Sequence, residues 1–461
     1  MKIKRMLALV LCAALLMGAL ALPAAANETS AQTCTCGEVV QVYMDGFGMP
    51  LYYDFGTPEQ RDPGMAVTDN LFPAILRLLW GAAKTAFTFS WNPLADGIGA
   101  LLFSLMGHLR VAPDGTSVEP LTNHWVLNPA QDHRNRPQYT FNYDFRMDPF
   151  FLAAELEAFI EALCETTGHA KVALTGNSEG AIVVMTYLAE YGTERLDSLI
   201  LVNGAFQGLT LVGELFTKQI ALSQPAVTNY IATLDGGSGG LATAMEVLRA
   251  AHVLDLAAPL LGGFVMRTMS DRLFETTIVP IFVAMPVLWA FVPTAYYPQA
   301  RTLISGRPEY AKLLAQADLY HEKVQSQAED LLKNAAKKGV KVALMCSYGR
   351  YPIPVTKNSY YQCDGLIDTA LESGGATAAP IGKTLLPSTS KYRSPDGIFD
   401  AATCMLPDQT WFVANNGHES GPTNELRQWI IHSEAQPTVW QNEDYPQYLV
   451  QQDGNAVPYV F

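Results

Sequence analysis

The segment Val172-Ala173-Leu174-Thr175-Gly176-Asn177-Ser178-Glu179-Gly180-Ala181-Ile182 constrains the fold more than any other stretch of this chain. Its first residues make a short buried strand, Gly176 to Gly180 make a tight turn, and Ala181 onward reads as a helix. A strand that becomes a helix this abruptly needs glycine on both sides of the turn residue, because strand and helix then pass within backbone contact. The serine at the apex sits in a strained backbone, projects out of the sheet, and faces the positive end of a helix. That position favours the negative charge that develops when a serine attacks a carbonyl.

The flanking sequence predicts an α/β fold. Glu38 to Met44 is rich in Val and Tyr and runs into Asp45-Gly46-Phe47-Gly48, a strand followed by a tight loop. Gln138 to Tyr143 reads as a second strand, Phe150 to Thr167 as an amphipathic helix, Lys171 to Thr175 as the strand before the serine, Ala181 to Tyr191 as a helix and Leu196 to Val202 as another strand. Such alternation implies a mostly parallel sheet with helices on both faces. After Asn203 it breaks, and residues 208–337 are apolar, interrupted by Gly and Pro, and helical in spacing. It resumes with a strand over Val340 to Cys346, a long loop to about Pro407, a strand near Thr410 to Ala414 and a helix from about Asn424 to His432. A second apolar, helix-like region covers residues 65–110. The uncharged run from Ile278 to Pro293 is too short and too Pro-broken to span a membrane.

Lys2, Lys4 and Arg5 precede an apolar run from Met6 to Leu22 and a small-residue stretch at Ala24 to Ala26, so residues 1–26 read as a cleavable export signal. The mature chain then carries 44 acidic and 27 basic side chains, and with no basic tract it would repel phosphate backbones, which excludes a nucleic-acid partner. Export makes disulfides possible for Cys34, Cys36, Cys164, Cys346, Cys363 and Cys404, with pairing left open. Cys346 lies in a strand-like run and reads as a buried small hydrophobe. Cys34 and Cys36 form a CxC pair, but no Cys/His cluster follows at zinc spacing, so no clustered metal site and no cofactor is expected, with calcium left open by the many carboxylates.

Ser178 needs a base, and the base needs an orienting acid. On this kind of turn the acid follows the serine after a later strand and the histidine comes last. His418, in Trp411-Phe412-Val413-Ala414-Asn415-Asn416-Gly417-His418, is the one downstream histidine just after a strand. His432 ends a helix, where a cation suits the helix field, and His321 falls in a polar helical stretch and reads as solvated. For the acid, Cys363-Asp364-Gly365-Leu366-Ile367-Asp368 follows the strand at Cys346. Asp364 is preferred on order and position, and Asp368 is the alternative. Oxyanion donors are expected from the backbone N–H groups of Glu179, after the nucleophile, and Phe47, after Gly46.

Taken together, these segments resemble the α/β-hydrolase superfamily, and within it the lecithin:cholesterol acyltransferase-like lipases. Phe141-Asn142-Tyr143-Asp144-Phe145-Arg146 is similar to that family's Tyr-Asp-Trp-Arg motif, Leu201 to Gly208 to its strand and turn after the nucleophile, and Asp364-Gly365-Leu366-Ile367 to its Asp-Gly-x-Val acid motif. The chain departs from the family at Asn177 and Glu179, where His and Met or Gln are usual. Asp144 and Arg146 read as a structural ion pair, and the Glu179 carboxylate is expected to point away or to be paired.

The resemblance implies a core split into residues 27–207 and 338–461, with residues 208–337 as a helical cap. It also implies an exported serine esterase or lipase acting on lipid esters, by hydrolysis or acyl transfer. A non-catalytic lipid-binding or surface-interaction protein on the same fold, and a peptidase or amidase, are the competing readings. Residues 65–107 and 208–296 hold only 4 and 10 charged side chains. That scarcity is expected to mark a cap over Ser178 that binds acyl chains or contacts a lipid interface.

Overall fold

The structure is a computed structural model that describes residues 34–66, 71–88, 90–221, 226, 229–230, 269–357, 359–418 and 424–460. The export segment expected over residues 1–26 and much of the central apolar insertion lie outside the described residues.

Among the described residues ten strands follow in chain order: β1 Gln41–Met44, β2 Gln138–Thr140, β3 Val172–Asn177, β4 Leu196–Val202, β5 Lys341–Tyr348, β6 Thr377–Ala378, β7 Phe399–Asp400, β8 Thr410–Ala414, β9 Tyr448–Gln452 and β10 Asn455–Pro458. Eight of them form one sheet in the order β10-β9-β8-β5-β4-β3-β1-β2, parallel throughout except for the terminal β9–β10 hairpin. The small pair β6–β7 stands apart in the long loop after β5. Strands β4 and β5 are almost wholly buried, as parallel strands covered on both faces must be.

Side chains alternate between two cores. Val42, Leu174, Leu199, Leu344 and Phe412 point to one face, while Ala173, Ile200, Ala343, Met345 and Trp411 point to the other. Among the described residues the α-helices of five or more residues are α1 Leu71–Thr88, α2 Asn92–Met106, α3 Pro149–Thr167, α4 Gly180–Tyr191, α5 Thr210–Phe216, α6 Pro286–Ala290, α7 Tyr297–Ile304, α8 Ala311–Tyr320, α9 Ala328–Lys337 and α10 Asn424–His432, and a single turn, Thr369–Glu372, lies in the acid loop. Helices α3, α4 and α9 cover the first face, and α10 covers the second through Leu426, Ile430 and Ile431. The start of α3 is fixed by Asp148, whose side chain caps the amides of Phe150 and Phe151, with Pro149 at the first helical position.

The two charge-poor regions pack on each other. Arg272 makes a bidentate pair with Asp96 of α2 at 2.6 and 2.9 Å, and Gly99 lies so close to Thr277 that a Cβ would meet its Oγ1 at 2.5 Å. Met285, Val287, Leu288, Trp289, Phe291 and Val292 of the uncharged run join the main core, and no helix among the described residues is long and apolar enough to cross a membrane. His321 departs from its expected solvated position. It is 8% exposed, its Nε2 lies 3.0 Å from the Trp289 carbonyl oxygen, and its ring stacks on Tyr297 at 3.6 Å. Glu322 and Lys323, its neighbours in sequence, are exposed, whereas Gln325 is buried on the same side as the His321 ring, and this polar run hid the buried face.

Candidate active site

Ser178 follows β3 on a backbone with φ of +53°, in the left-handed region that costs a non-glycine residue about 1–3 kcal/mol. The turn is pinned from both sides: the Ser178 amide donates to the Val202 carbonyl at 2.9 Å, and its own carbonyl accepts from the Ala181 and Ala205 amides. A Cβ on Gly176 would lie 2.6 Å from the Gly180 backbone, and one on Gly180 would lie 2.6 Å from the Met44 carbonyl oxygen. The pattern of glycines therefore follows from the close crossing of β3, α4 and the end of β1.

Ser178 Oγ is 3.0 Å from His418 Nε2, and His418 Nδ1 is 2.5 Å from Asp364 Oδ2. The carboxylate contact fixes the proton on Nδ1 and leaves Nε2 to accept from the serine hydroxyl. The Asp364 side chain is fully buried and its Oδ1 accepts from the amides of Leu366 and Ile367 at 2.8 and 2.7 Å. That tight loop requires φ of +106° at Gly365. The His418 amide also donates to the Asp364 carbonyl at 2.9 Å, so backbone and side chain are held together. Burial opposes ionisation of Asp364, but the charge and hydrogen bond of His418, with help from Glu372, carry it below the usual carboxylate range.

Asp368, the alternative acid, faces elsewhere: its two oxygens accept from the Thr210 amide and hydroxyl at 2.8 and 2.6 Å, tying the acid loop to α5. Burial raises it to about 6. Glu372 was not singled out from the sequence, yet it is buried beside Asp364 and accepts from the Ser347 amide at 3.0 Å. Burial first, and then the charge of Asp364, push its carboxyl well above its ordinary value, so it holds its proton while Asp364 stays ionised.

Gly46 packs against the serine so tightly that a Cβ there would lie 2.8 Å from Oγ and 3.6 Å from the Glu179 nitrogen. The loop is held by Asp45, whose Oδ1 accepts from the Gly46 amide at 2.9 Å and the Asn177 side chain at 3.0 Å, and whose carbonyl accepts from the Tyr143 hydroxyl at 2.6 Å. The Phe47 ring is wedged edge-on against Phe145 and Phe291. Among the described residues, the N–H groups of Phe47 and Glu179 meet no protein acceptor.

The Glu179 side chain is fully buried, and neither carboxyl oxygen has a hydrogen-bond partner among the described residues, so of the two expected arrangements, pointing away or pairing, it is not the pairing that is found. Burial, with Asp144 adding to it, drives its titration far above the ordinary carboxylate range, so it stays neutral and places no charge beside Ser178. Asp144 and Arg146 form the structural pair expected of them: Nε and Nη2 of the buried Arg146 reach Asp144 at 2.9 and 2.7 Å, and Nη2 also reaches the Leu121 carbonyl at 2.8 Å.

Ser178 and His418 open onto a cleft of about 700 Å³. Its described walls come from the β1 loop, α10 and the terminal hairpin, and include Gln138, Asn424, Arg427, Gln451 and Asn455. Residues 231–268 lie outside the described residues, and the charge-poor regions contribute no described residue to that lining. They touch the site through Phe291 on Phe47. Helix α1 instead turns Phe72, Leu76, Leu79, Trp80 and Phe87 to the exterior.

At the other end of the sheet the fold makes a contact that sequence spacing does not indicate. Cys34 and Cys36 do meet histidines, because the fold brings His133 and His169 to them from 99 and 133 positions away. All six described cysteines are unbridged, and Cys346 is 1% exposed.

Fold and site together define an α/β protein whose mostly parallel sheet carries a hydrogen-bonded Ser–His–Asp chain beyond the C-terminal ends of β3, β8 and β5. No family model matches the chain, and no curated protein does. Among solved structures it is similar to a serine hydrolase from the polyaromatic-hydrocarbon-degrading bacterium Cycloclasticus zankles, at 14% identity and a TM-score of 0.17. The alignment covers 45% of this chain and 58% of that one, so the chain spans less than two thirds of that neighbour's length.

Proposed function

We propose that this chain is an exported serine esterase of the α/β-hydrolase type that cleaves lipid carboxylic esters. Its core comprises residues 27–207 and 338–461, with residues 208–337 inserted as a cap. The observation that carries the reading is the unbroken chain from Ser178 Oγ through His418 to Asp364, with the serine on a strained strand-to-helix turn.

Ser178 Oγ attacks the ester carbonyl carbon while its proton passes to His418 Nε2, and Asp364 stabilises the imidazolium. The carbonyl oxygen takes the negative charge and is held by the N–H groups of Phe47 and Glu179, each worth about 3–4 kcal/mol by analogy with other oxyanion sites. Collapse breaks the C–O bond, and the departing alkoxide takes the proton from Nε2. A water molecule, or an alcohol, then attacks the acyl-enzyme with His418 as base and regenerates Ser178. No cofactor enters these steps.

The lipid part of the reading is supported by the exposed apolar face of α1, a helix surface suited to an interface. The polar walls of the cleft favour a second reading, a water-soluble ester with a polar acid or alcohol portion. A series of p-nitrophenyl esters of increasing chain length, assayed with and without vesicles or detergent, separates the two. Activity rising with chain length and boosted by an interface supports a lipid ester, with Trp80→Asp and Phe72→Asp losing the boost alone. Activity confined to short soluble esters supports the second. Absence of turnover across the series, from folded protein, contradicts both.

A further inference from the structure

Three neighbouring strands begin at one place on the molecule. β2, β1 and β3 lie side by side and parallel, and the residues just ahead of them hold His133, the pair Cys34 and Cys36, and His169. Their sulfur and imidazole nitrogen atoms all lie within 4.8 Å of one another. Cys34 Sγ is 3.3 Å from His133 Nε2, Cys36 Sγ is 3.5 Å from His169 Nε2, and the two imidazole rings meet edge to face at 4.9 Å. The backbone is already drawn in, since the Cys34 amide donates to the Gly168 carbonyl at 2.9 Å.

We propose that Cys34, Cys36, His133 and His169 bind one zinc ion in a closed tetrahedral site that fastens the segment ahead of β1 to the loops ahead of β2 and β3. Zinc bonds of about 2.3 Å to sulfur and 2.0–2.1 Å to nitrogen give a tetrahedral sulfur-to-nitrogen edge of about 3.6 Å; the Cys36–His169 separation of 3.5 Å matches it, the Cys34–His133 separation of 3.3 Å is about 0.3 Å shorter, and the remaining separations, all within 4.8 Å, need only small side-chain shifts to close. Two thiolates balance the charge of a divalent ion, so a half-buried site is left neutral, and the sulfur and imidazole donors suit zinc over calcium or magnesium. A disulfide between Cys34 and Cys36 would leave the convergence of both histidines without a cause. Four protein ligands leave no open position for water or substrate, and β1 and β3 run from this cluster to the opposite edge, where Gly46 and Ser178 lie. The ion is therefore a structural fastener for the strand that carries the Asp45–Phe47 loop and takes no part in chemistry at Ser178.

The test is metal content of the full chain, purified under reducing conditions, loaded with zinc sulfate and passed through gel filtration. One zinc per chain is expected, together with cobalt-substituted protein that shows intense tetrahedral d–d absorption and a thiolate-to-cobalt charge-transfer band. Removing the metal with a chelator lowers Tm, and zinc restores it. Cys34→Ser with Cys36→Ser, and separately His133→Asn with His169→Asn, lose the zinc and the charge-transfer band while keeping wild-type circular dichroism. Should one pair fail to fold, the other pair and the cobalt spectrum of the wild type still decide. Fully reduced wild type that retains no zinc, variants that retain as much as wild type, or a native Cys34–Cys36 disulfide found by non-reducing peptide mapping would each overturn the proposal.

Discussion

Gly46→Ala is the smallest change that interrogates the geometry of the serine. The added Cβ would sit 2.6 Å from Ser178 Cβ and 2.8 Å from Oγ, where contacts under 3.0 Å essentially do not occur. Separation must grow by several tenths of an ångström, and neither side gives easily. Asp45 holds the Gly46 amide, and the Ser178 backbone is pinned to Val202 and Ala205. Overpacking of this kind costs about 1–3 kcal/mol of stability. A displacement approaching 1 Å at a reacting atom costs about 10²-fold in rate. Stability is read by urea unfolding, and nucleophile reactivity by the rate of fluorophosphonate inactivation, which needs no knowledge of the substrate. A double-mutant cycle supplies the control: Ser178→Gly removes both atoms that the new methyl meets, so Gly46→Ala on that background costs at least about 1 kcal/mol less. Ser178→Gly alone gains about 1 kcal/mol by relieving the left-handed backbone. An alanine variant that inactivates at the wild-type rate, or a penalty equal on both backgrounds, would refute the contact.

Three further outcomes follow from buried titratable groups. Burial lowers His321 from 6.5 to about 4, so its neutral-state contribution is complete above pH 6.5 and lost as pH falls through 4, by up to about 3 kcal/mol; unfolding curves from pH 7 to 4 should be flatter for His321→Phe. Glu179 titrates well above its ordinary 4.5, so its stability contribution is full below that value and declines as pH rises toward its folded titration point; Glu179→Gln should gain more stability over wild type at pH 8 than at pH 5 in urea titrations. Glu372→Gln keeps a neutral donor beside Asp364 and should leave the inactivation rate within about threefold, whereas Glu372→Ala strands the Ser347 amide, costs about 1–3 kcal/mol, and removes a neighbour that helps hold Asp364 low, moving the acid limb of the pH–rate profile upward.

Much of this arrangement was legible because it is local. The strand, turn and helix around Ser178 fall where the glycines and the apolar runs put them, and β4, β8 and α10 begin and end at the expected residues. His418 was found by its place after a strand, and Asp364 by chain order. The β9–β10 hairpin lies beyond the expected strands, although Asp453-Gly454, both at positive φ, is a standard two-residue hairpin signal between alternating runs. That hairpin forms one wall of the cleft. The Cys34, Cys36, His133 and His169 cluster carried no readable spacing, because its members are gathered by strand order rather than by one motif. Glu372 and the burial of His321 are likewise products of packing between distant segments. Among the described residues, low charge in residues 65–107 and 208–296 goes with their packing on each other and with the apolar exterior of α1.

The central claim is that Ser178 is an activated nucleophile. Intact-mass and peptide-mapping spectrometry after treatment with a fluorophosphonate tests it directly. The account predicts one adduct per chain, on Ser178, absent from Ser178→Ala and formed far more slowly in His418→Ala. Folded wild-type protein that takes up no adduct, or a Ser178→Ala variant that labels as fast as wild type, would contradict it.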